Sequence, residues 1–437
     1  MLKSILFLAV TANLAAARVP VLLISIDGLR PDCVLKAGQY GLKIPNLLRM
    51  VAEGAYATGV HGVFPTVTYP SHTTLLTGVS PARHGIYANT TFDPANENYS
   101  GWYWYAEDIK VPTLFDEAST AGLSTANVHW PVTVGARIDW NLPQYWRAGT
   151  PDDRKLHRAL CTPGLLDLLG RELPPYADGG DDTLPADQRR TLYALRLLEL
   201  KRPAFMTVYL SSLDHVEHQY GPFSPEANAT LEGIDALVGE LRELAGSGAV
   251  VAVVSDHGFV RISKDVNLLT EFVKAGLIAV DEAGKVKSWQ AGGWAAGASG
   301  AVVINPDAPA GTKERVASML QRVSKDSANG IARVLDADEI RRLNGFPDAK
   351  FVVVLQPGYT FGAHVAGPLV TDSAMRGMHG YLPDLPDMYS TFLIAGPGVP
   401  AGHSLGEIDM RDIAPTLATF LGIRMREAEG HDVLATR

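Results

Sequence analysis

Short runs of consecutive apolar residues recur along the chain, and stretches with helical spacing lie between them. The clearest runs are residues 19–26, 204–210 and 249–254, and the first of them is rich in β-branched side chains. Runs that are apolar throughout are typical of strands buried on both faces, as in a parallel sheet. Helical spacing is found at residues 44–52, 112–121, 188–200, 224–245 and 411–421. The alternation predicts an α/β fold with a central, mostly parallel sheet flanked by helices.

Weaker patterns complete the predicted architecture. Strand-like stretches cover residues 56–64, 123–130 and 390–399, and the proline- and glycine-rich stretch 174–187 has the composition of a surface loop. Residues 260–375 are less regular, and we interpret them as a smaller subdomain inserted beside the sheet. Ser224 followed by Pro225 predicts the start of the helix that runs to about residue 245.

The N-terminal segment has the composition of a secretory signal. Lys3 is followed by an apolar run at residues 5–10 and by small residues ending at 15–17, which is the order of a signal peptide. We therefore expect residues 1–17 to be removed and residues 18–437 to be secreted or periplasmic, although an ordinary N-terminal strand or helix would also fit. No later stretch is long and apolar enough to predict a membrane span in the mature chain.

Composition excludes some classes of partner and site. The 437 residues carry a net charge of −9, so no basic field attracts a nucleic-acid polymer, whereas a small anionic substrate can still bind where metal ions supply positive charge. Cys33 and Cys161 are the only cysteines. A disulfide scaffold and a cysteine-rich metal site are thereby excluded, and whether the two cysteines pair is left open.

The stretch 64–89 holds a candidate nucleophile. Thr66 and Thr68 stand just before Pro70 and a helix-like run, and proline is favoured at the first helical position. Thr68 is therefore expected at a helix N-terminus, where unpaired backbone N–H groups favour an anion. A hydroxyl in that position is a candidate nucleophile for phosphoryl transfer, and a threonine-rich helix cap is the alternative.

Acidic residues follow the strand-like runs and suggest a metal site. Asp27 ends the first run, Asp214 follows the run 204–210, and the pair Asp256-His257 ends the third. Ligands of open α/β sheets bind beyond the carboxyl ends of the strands. Aspartate and histidine without cysteine suit Zn²⁺, or Mn²⁺ as an alternative.

Two further histidines extend this set. His218 lies four residues after Asp214, so on a helical turn both side chains share one face, although such a pair also occurs on solvated helices. His215 and Glu217 point elsewhere in that geometry and are expected at the surface or behind the ligands. His379 lies in a glycine-flanked turn.

The order of these motifs resembles the nucleotide pyrophosphatase/phosphodiesterase family of the alkaline phosphatase superfamily. The motifs are DG-L-R, FPTVTYPSH…TG…HGI..N, D-x-x-x-H-x-x-GP, SDHG and HGY, and they span nearly the whole mature chain. The resemblance implies an alkaline-phosphatase-like fold and two Zn²⁺ ions per subunit. The implied ligands are Asp214, His218 and His379 for one ion, and Asp27, Asp256, His257 and the Thr68 oxygen for the other.

The resemblance also implies a reaction. Thr68 would attack phosphorus in a phosphodiester or pyrophosphate bond of a nucleotide-type substrate and form a phosphothreonine. The Tyr69 N–H and the Asn89 amide would share the charge of a non-bridging oxygen. Tyr69, which stands where phenylalanine is usual, and Tyr145 are candidates to sandwich a nucleobase, with simple packing the alternative for Tyr145. Ser71 replaces the common asparagine.

The charge pattern bears on the type of ester. No lysine or arginine occurs between residues 64 and 82, so a monoanionic diester suits the segment better than a dianionic monoester. Alternatives are a phosphonate or lipid-headgroup hydrolase of the same superfamily, or an inactive relative that binds phosphorylated ligands. His72, His84 and His129 lie near the motifs and receive no role.

Overall fold

One eight-stranded sheet organises the chain in the computed structural model, which describes residues 18–98, 101–145, 150–176 and 181–435. The predicted signal segment 1–17 lies outside these residues. Among the helices described, none combines the length and the apolar character that a membrane crossing requires.

Nineteen strands are formed by the described residues. They are β1 (Val21–Ile26), β2 (Ala55–His61), β3 (Thr125–Val128), β4 (Trp140–Leu142), β5 (Phe205–Leu210), β6 (Val250–Val254), β7 (Val260–Arg261), β8 (Lys264–Val266), β9 (Ile278–Val280), β10 (Val286–Trp289), β11 (Ala291–Ala296), β12 (Ser299–Ile304), β13 (Ile331–Leu335), β14 (Phe351–Leu355), β15 (Tyr359–Phe361), β16 (Val370–Asp372), β17 (Gly377–Met378), β18 (Phe392–Ala395) and β19 (His403–Asp409).

The same described ranges contain fifteen α-helices. They are α1 (Pro31–Leu35), α2 (Ala37–Tyr40), α3 (Pro45–Glu53), α4 (Thr68–Thr77), α5 (Pro81–His84), α6 (Leu114–Thr120), α7 (Pro151–Leu160), α8 (Leu165–Leu169), α9 (Leu184–Lys201), α10 (Ser212–Tyr220), α11 (Pro225–Ala245), α12 (Leu268–Lys274), α13 (Thr312–Ser324), α14 (Ala337–Leu343) and α15 (Ile413–Leu421).

The large sheet has the strand order β19-β2-β18-β6-β1-β5-β3-β4. The strands from β6 to β4 run parallel to one another, β19 runs parallel to β2, and β18 is antiparallel to both of its neighbours. The three apolar runs are the central strands β1, β5 and β6, and each of their residues is buried. The predicted α/β class with a mostly parallel sheet is thus confirmed.

Both faces of the sheet are covered because side chains alternate along each strand. In β1, Leu22, Ile24 and Ile26 pack with residues of α3, α9 and α11. Val21 and Leu23 face the opposite way and pack with residues of α4, α6 and α15. The helix that carries the candidate nucleophile therefore lies on the second face.

Smaller sheets lie between β6 and β18 in the chain. A four-stranded sheet has the order β11-β12-β14-β13, and β15-β8-β16, β9-β10 and β7-β17 form three more. They share an apolar cluster with α12 and α13. These strands fall within or next to the range 260–375, for which an inserted subdomain stays a prediction.

The predicted loop at 174–187 is partly wrong. Helix α9 begins at Leu184, where the Thr183 hydroxyl accepts a hydrogen bond from the Ala186 N–H and caps the helix. Asp187 is fully buried beside Arg190. Asp187 can be buried at the end of the predicted loop because it forms an ion pair with Arg190.

Candidate active site

The carboxyl ends of three neighbouring strands bring together the predicted acidic residues. Strand β1 pairs in parallel with β5 on one side and with β6 on the other, so their ends meet at one edge. Asp27 follows β1, and Asp256 with His257 follows β6; all three are buried. The His257 Nε2 atom lies 3.3 Å from Asp27 Oδ1 and 3.1 Å from Asp256 Oδ2.

A second group forms where α10 meets the segment after β17. Asp214 and His218 occupy one face of α10, as their spacing predicts, with 3.4 Å between Asp214 Oδ1 and His218 Nε2. His379 arrives from the other direction, and its Nε2 lies 3.6 Å from the same oxygen. The His379 ring stacks on that of His257 with 3.6 Å between centroids. The two groups are therefore direct neighbours.

The three histidines all direct the same ring nitrogen into the site. Each Nδ1 lies near a backbone carbonyl: Gly377 O for His218 at 2.9 Å, Thr66 O for His379 at 3.1 Å, and its own neighbour's carbonyl for His257 at 3.2 Å. A carbonyl only accepts, so each Nδ1 carries the proton and each Nε2 presents a lone pair. This is the tautomer that a metal-binding histidine needs.

Burial keeps these histidines neutral. It lowers the pKa of His379 to about 3, with the neighbouring His218 adding to the effect. Burial likewise lowers the pKa of His218 and of His257. Three neutral Nε2 lone pairs thus face carboxylate oxygens. At these short distances the nitrogen lone pairs and the oxygens would repel one another unless a cation lay between them.

The carboxylates show the same need for positive charge. Asp27 Oδ1, Asp214 Oδ1 and Asp256 Oδ2 are buried and accept no hydrogen bond. Burial, reinforced by the charge of Asp256, raises the pKa of Asp27 and of Asp214 well above the usual range, and burial also raises the pKa of Asp256. Buried carboxylates are normally paired or bound to a metal. The donor set, oxygen and imidazole nitrogen without sulfur, fits Zn²⁺.

Two groups of possible metal ligands stand out among the described residues. One is Asp214, His218 and His379, as the resemblance implies; the other is Asp27, Asp214 and His257. The second group differs from the implied set because it includes Asp214, which is within reach of both positions. Asp256 remains adjacent through His257, and its other oxygen accepts the Gly28 N–H at 3.1 Å.

The candidate nucleophile lies at the start of α4, beside these residues. Thr68 is the first residue of the helix, and its Oγ1 is 3.5 Å from His257 Nε2. The prediction that Pro70 is the first helical residue is wrong, because Pro70 is the third. Proline is tolerated there since the first N–H groups of a helix have no partner within it. Thr68 is buried but keeps 8% of its surface exposed.

The Asn89 side chain contacts the backbone of Tyr69, the residue that follows the candidate nucleophile. The Tyr69 N–H donates to Asn89 Oδ1 at 2.9 Å. In this structure the N–H is therefore used to orient the Asn89 amide, and it is not a second free donor as the sequence led us to expect. With Oδ1 occupied, the Nδ2 group of Asn89 is the available donor.

Tyr69 and Tyr145, the two candidates to sandwich a nucleobase, are both buried. Tyr69 is 0% exposed and its hydroxyl donates to Gln144, while Tyr145 is 2% exposed and packs on Trp104 with 4.7 Å between ring centroids. Neither ring offers a free face to a ligand. The packing alternative is the one that the structure supports, since large aromatic rings contribute most to stability when buried.

Two supporting residues, His72 and Tyr209, have no role in the sequence interpretation. His72 contacts the Thr68 carbonyl through Nδ1 at 2.9 Å and Ser25 Oγ through Nε2 at 2.8 Å. The Tyr209 hydroxyl donates to Asp27. Glu217 is buried, so of its two expected positions, at the surface or behind the ligands, the surface is excluded. The spacing of four between Thr68 and His72 on a helix was the one signal that could have revealed such a contact.

The sequence of this chain is similar to those of proteins named as phosphodiesterases and pyrophosphatases. The chain matches the family model for type I phosphodiesterase / nucleotide pyrophosphatase over residues 21–382. An uncharacterized pyrophosphatase/phosphodiesterase of Schizosaccharomyces pombe is 28% identical over 249 residues, 54% of this chain and 44% of that protein. Human ectonucleotide pyrophosphatase/phosphodiesterase family member 1 is 27% identical over 255 residues, 55% of this chain and 23% of that protein. The matched region thus spans less than half of these curated relatives.

Solved structures agree on the fold. Human ectonucleotide pyrophosphatase/phosphodiesterase 5 superposes with a TM-score of 0.69 at 20% identity, covering 95% of this chain and 98% of that one. An inactive murine form of that protein in complex with AMP gives 0.68 at 19% identity, with the same coverage. Because the family model extends over most of the chain, the protein belongs to the type I phosphodiesterase/nucleotide pyrophosphatase family, as the order of its motifs predicts.

Proposed function

We propose that the protein is a zinc-dependent phosphodiesterase that hydrolyses phosphodiester or pyrophosphate bonds of nucleotide-type substrates through a phosphothreonine on Thr68. The observation that supports this proposal most directly is a set of buried carboxylate oxygens that accept no hydrogen bond. Three imidazole lone pairs face these oxygens. Such a set suits divalent cations and little else. The AMP bound by the murine relative is the nucleotide-type ligand that we carry over to this chain.

The residues divide between two proposed ions. Asp214, His218 and His379 would hold one; Asp27, Asp256 and His257, with the Thr68 oxygen, would hold the other. When bound, two such ions make a coordinated hydroxyl a better nucleophile and offset charge on the attacking and leaving oxygens of an in-line displacement.

The chain's own groups would then carry two displacement steps. In the first, the Thr68 hydroxyl loses its proton, its Oγ bonds to phosphorus, the ester bond to the leaving oxygen breaks, and the leaving group departs with that proton. In the second, a water oxygen bonds to phosphorus and the Thr68 Oγ–phosphorus bond breaks, which restores the hydroxyl. Asn89 Nδ2 would donate to a non-bridging oxygen in both steps, and the Tyr69 N–H keeps that amide in place.

The charges around the segment favour a diester. The first arginine after Thr68, Arg83, pairs with Glu427 and Glu429. Arg30, close to Asp27 in the chain, pairs with Asp32 and Asp387. Neither cation is left to neutralise the second charge of a monoester.

The proposal also includes the location of the protein outside the cytoplasm. The signal-like composition of residues 1–17 supports secretion or transfer to the periplasm. A small nucleotide or other phosphodiester is the proposed partner.

Hydrolysis rates of three chromogenic substrates test the activity. Bis-p-nitrophenyl phosphate and p-nitrophenyl-TMP should react faster than p-nitrophenyl phosphate, and a chelator should abolish all three rates until zinc is restored. Activity that persists after complete zinc removal contradicts the metal assignment. A preference for the simple monoester contradicts the charge argument.

Matched variants of α4 test the nucleophile. Thr68→Ala should lose activity, whereas Thr73→Ala removes a hydroxyl that only donates to the Tyr69 carbonyl within the same helix and should retain it. Rapid quenching of the wild-type reaction followed by peptide mass spectrometry should find phosphate on Thr68. Wild-type rates in Thr68→Ala, or phosphate on another residue, would refute the assignment.

A further inference from the structure

Helix α10, which presents Asp214 and His218, begins without a cap of its own. Ser211 is the residue before the helix, and its hydroxyl does not accept a bond from the first turn. The hydroxyl instead donates to Asp182 at 2.7 Å. The first N–H groups of any helix need acceptors from elsewhere.

Those acceptors come from a different helix. Asp187 of α9 accepts the Ser212 N–H with Oδ2 at 2.9 Å and the Ser211 N–H with Oδ1 at 3.3 Å. Its side chain is 0% exposed. Both carboxylate oxygens thus accept hydrogen bonds from the start of α10. A negative charge at this position also interacts favourably with the helix dipole.

A buried arginine holds this carboxylate in place. Arg190, one turn further along α9, donates through Nη1 to Asp187 Oδ1 at 3.0 Å and to Ser211 Oγ at 3.1 Å. Neither side chain of the ion pair has exposed surface. Removing one partner of a buried pair strongly disturbs its surroundings, so the pair fixes α9 and the start of α10 relative to each other.

We propose that Asp187 is a positioning residue for the metal site, and this inference rests on the proposed function. Asp214 is the third residue of α10, only two residues after Ser212. Its Oδ1 must stay in register with His379, which belongs to a different part of the chain and lies 3.6 Å away. A shift of the first turn would therefore separate ligands of one ion while leaving each ligand residue intact.

Asp235 offers a matched control. It too is a buried aspartate that caps another helix: its Oδ1 accepts the Leu47 N–H at 2.8 Å and its Oδ2 accepts the Asn46 N–H at 3.1 Å. The helix that it caps, α3, carries none of the proposed ligands. Asp187→Asn and Asp235→Asn therefore make the same chemical change at two helix starts, one leading to the site and one away from it.

The experiment measures zinc affinity of the full chain by competition with a chromophoric chelator, alongside kcat and KM at saturating zinc. Asp187→Asn should bind zinc roughly 10- to 100-fold more weakly, as is typical when a group that orients a metal ligand is lost. Asp235→Asn should stay close to the wild type. Equal zinc affinity in Asp187→Asn and wild type, or an equal loss in both variants, overturns the proposal.

Two further outcomes are separable. If the wild type binds no zinc, the proposed function fails at the metal site, before positioning is in question. If Asp187→Asn does not fold, Ser211→Ala tests the same anchor, because it removes the hydroxyl that Asp182 and Arg190 contact. It should weaken zinc binding by a smaller factor, and unchanged binding in that variant contradicts the proposal.

Discussion

Acid should destabilise the protein through His84, which closes the far end of the nucleophile helix. The Thr74 hydroxyl donates to the Val79 carbonyl and so accepts the His84 Nε2–H at 3.1 Å. The His84 Nδ1 accepts the Ile86 N–H at 3.1 Å and must be unprotonated. Burial accordingly lowers the pKa of His84 from 6.5 to about 3. Charging this ring would oppose its burial and break the bond from Ile86.

The size of the effect follows from the two pKa values. Because the pKa is lower in the folded protein than in the unfolded chain, the stabilisation is fully present above pH 6.5 and is lost as the pH falls towards 3. Each unit of pH in that range removes about 1.4 kcal/mol from the free energy of unfolding. At pH 5 the loss is about 2 kcal/mol relative to neutral pH.

Denaturant unfolding at pH 7.5 and at pH 5.0 measures this loss. A chelator is present at both values so that metal release does not contribute. His84→Asn keeps an acceptor near the Nδ1 position but does not titrate, so its free energy of unfolding should fall by about 2 kcal/mol less between the two pH values than that of the wild type. His61→Asn, at a side chain that is 39% exposed, serves as the control. Equal pH dependence in wild type and His84→Asn would refute the reasoning.

Three further predictions concern the site and its surroundings. Asn89→Ala should lower kcat on bis-p-nitrophenyl phosphate roughly 100- to 1,000-fold with little change in KM, because a donor to the transition state is lost; a change in KM alone would contradict this. Gly28→Ala should destabilise the protein by about 1 kcal/mol or more beyond Gly41→Ala in denaturant unfolding, since both glycines have positive φ but only Gly28 has side chains within 3.0 Å of an added Cβ; equal losses would exclude crowding. Cys33 and Cys161 are buried free thiols, and burial raises the pKa of both, that of Cys161 to about 12. A thiol reagent should find almost none in the native protein and about two per chain in denaturant, whereas none in denaturant would reveal a disulfide.

The parts of the site that could be predicted are those that strand and helix periodicity brings together. Asp27 and Asp256 end apolar runs, and parallel strands bring such ends to one edge of the sheet. Asp214 and His218 share a helix face because of their spacing alone. The link from Asn89 to Tyr69, 20 residues earlier and next to the nucleophile, came only from the resemblance. No local pattern reports a contact of that kind.

The predictions that the sequence could not decide share a physical cause. Whether a side chain is buried depends on residues that are distant in the chain and close in the fold. Asp187 lies in a polar window with the composition of a loop, and its burial depends on Arg190 and on the start of a helix that follows 24 residues later. For Tyr145 the sequence left open whether it contacts a nucleobase or packs, and its contact with Trp104 favours packing. Pro70 shows the limit of positional preferences, since a first-turn proline is compatible with more than one helix start.

The order of strands around β2 has a consequence for synthesis of the chain. Strand β2, which leads into the nucleophile segment, pairs only with β18 and β19 within the described sheet. Roughly 330 residues must be translated between the end of β2 and the start of β18, which takes on the order of 15 to 65 s at common rates of elongation. During that time β2 lacks both native partners, and unpaired strand edges are prone to wrong association. In ribosome-bound chains arrested before β18, β1, β5 and β6 are therefore already synthesised, whereas β2 has neither of its native partner strands.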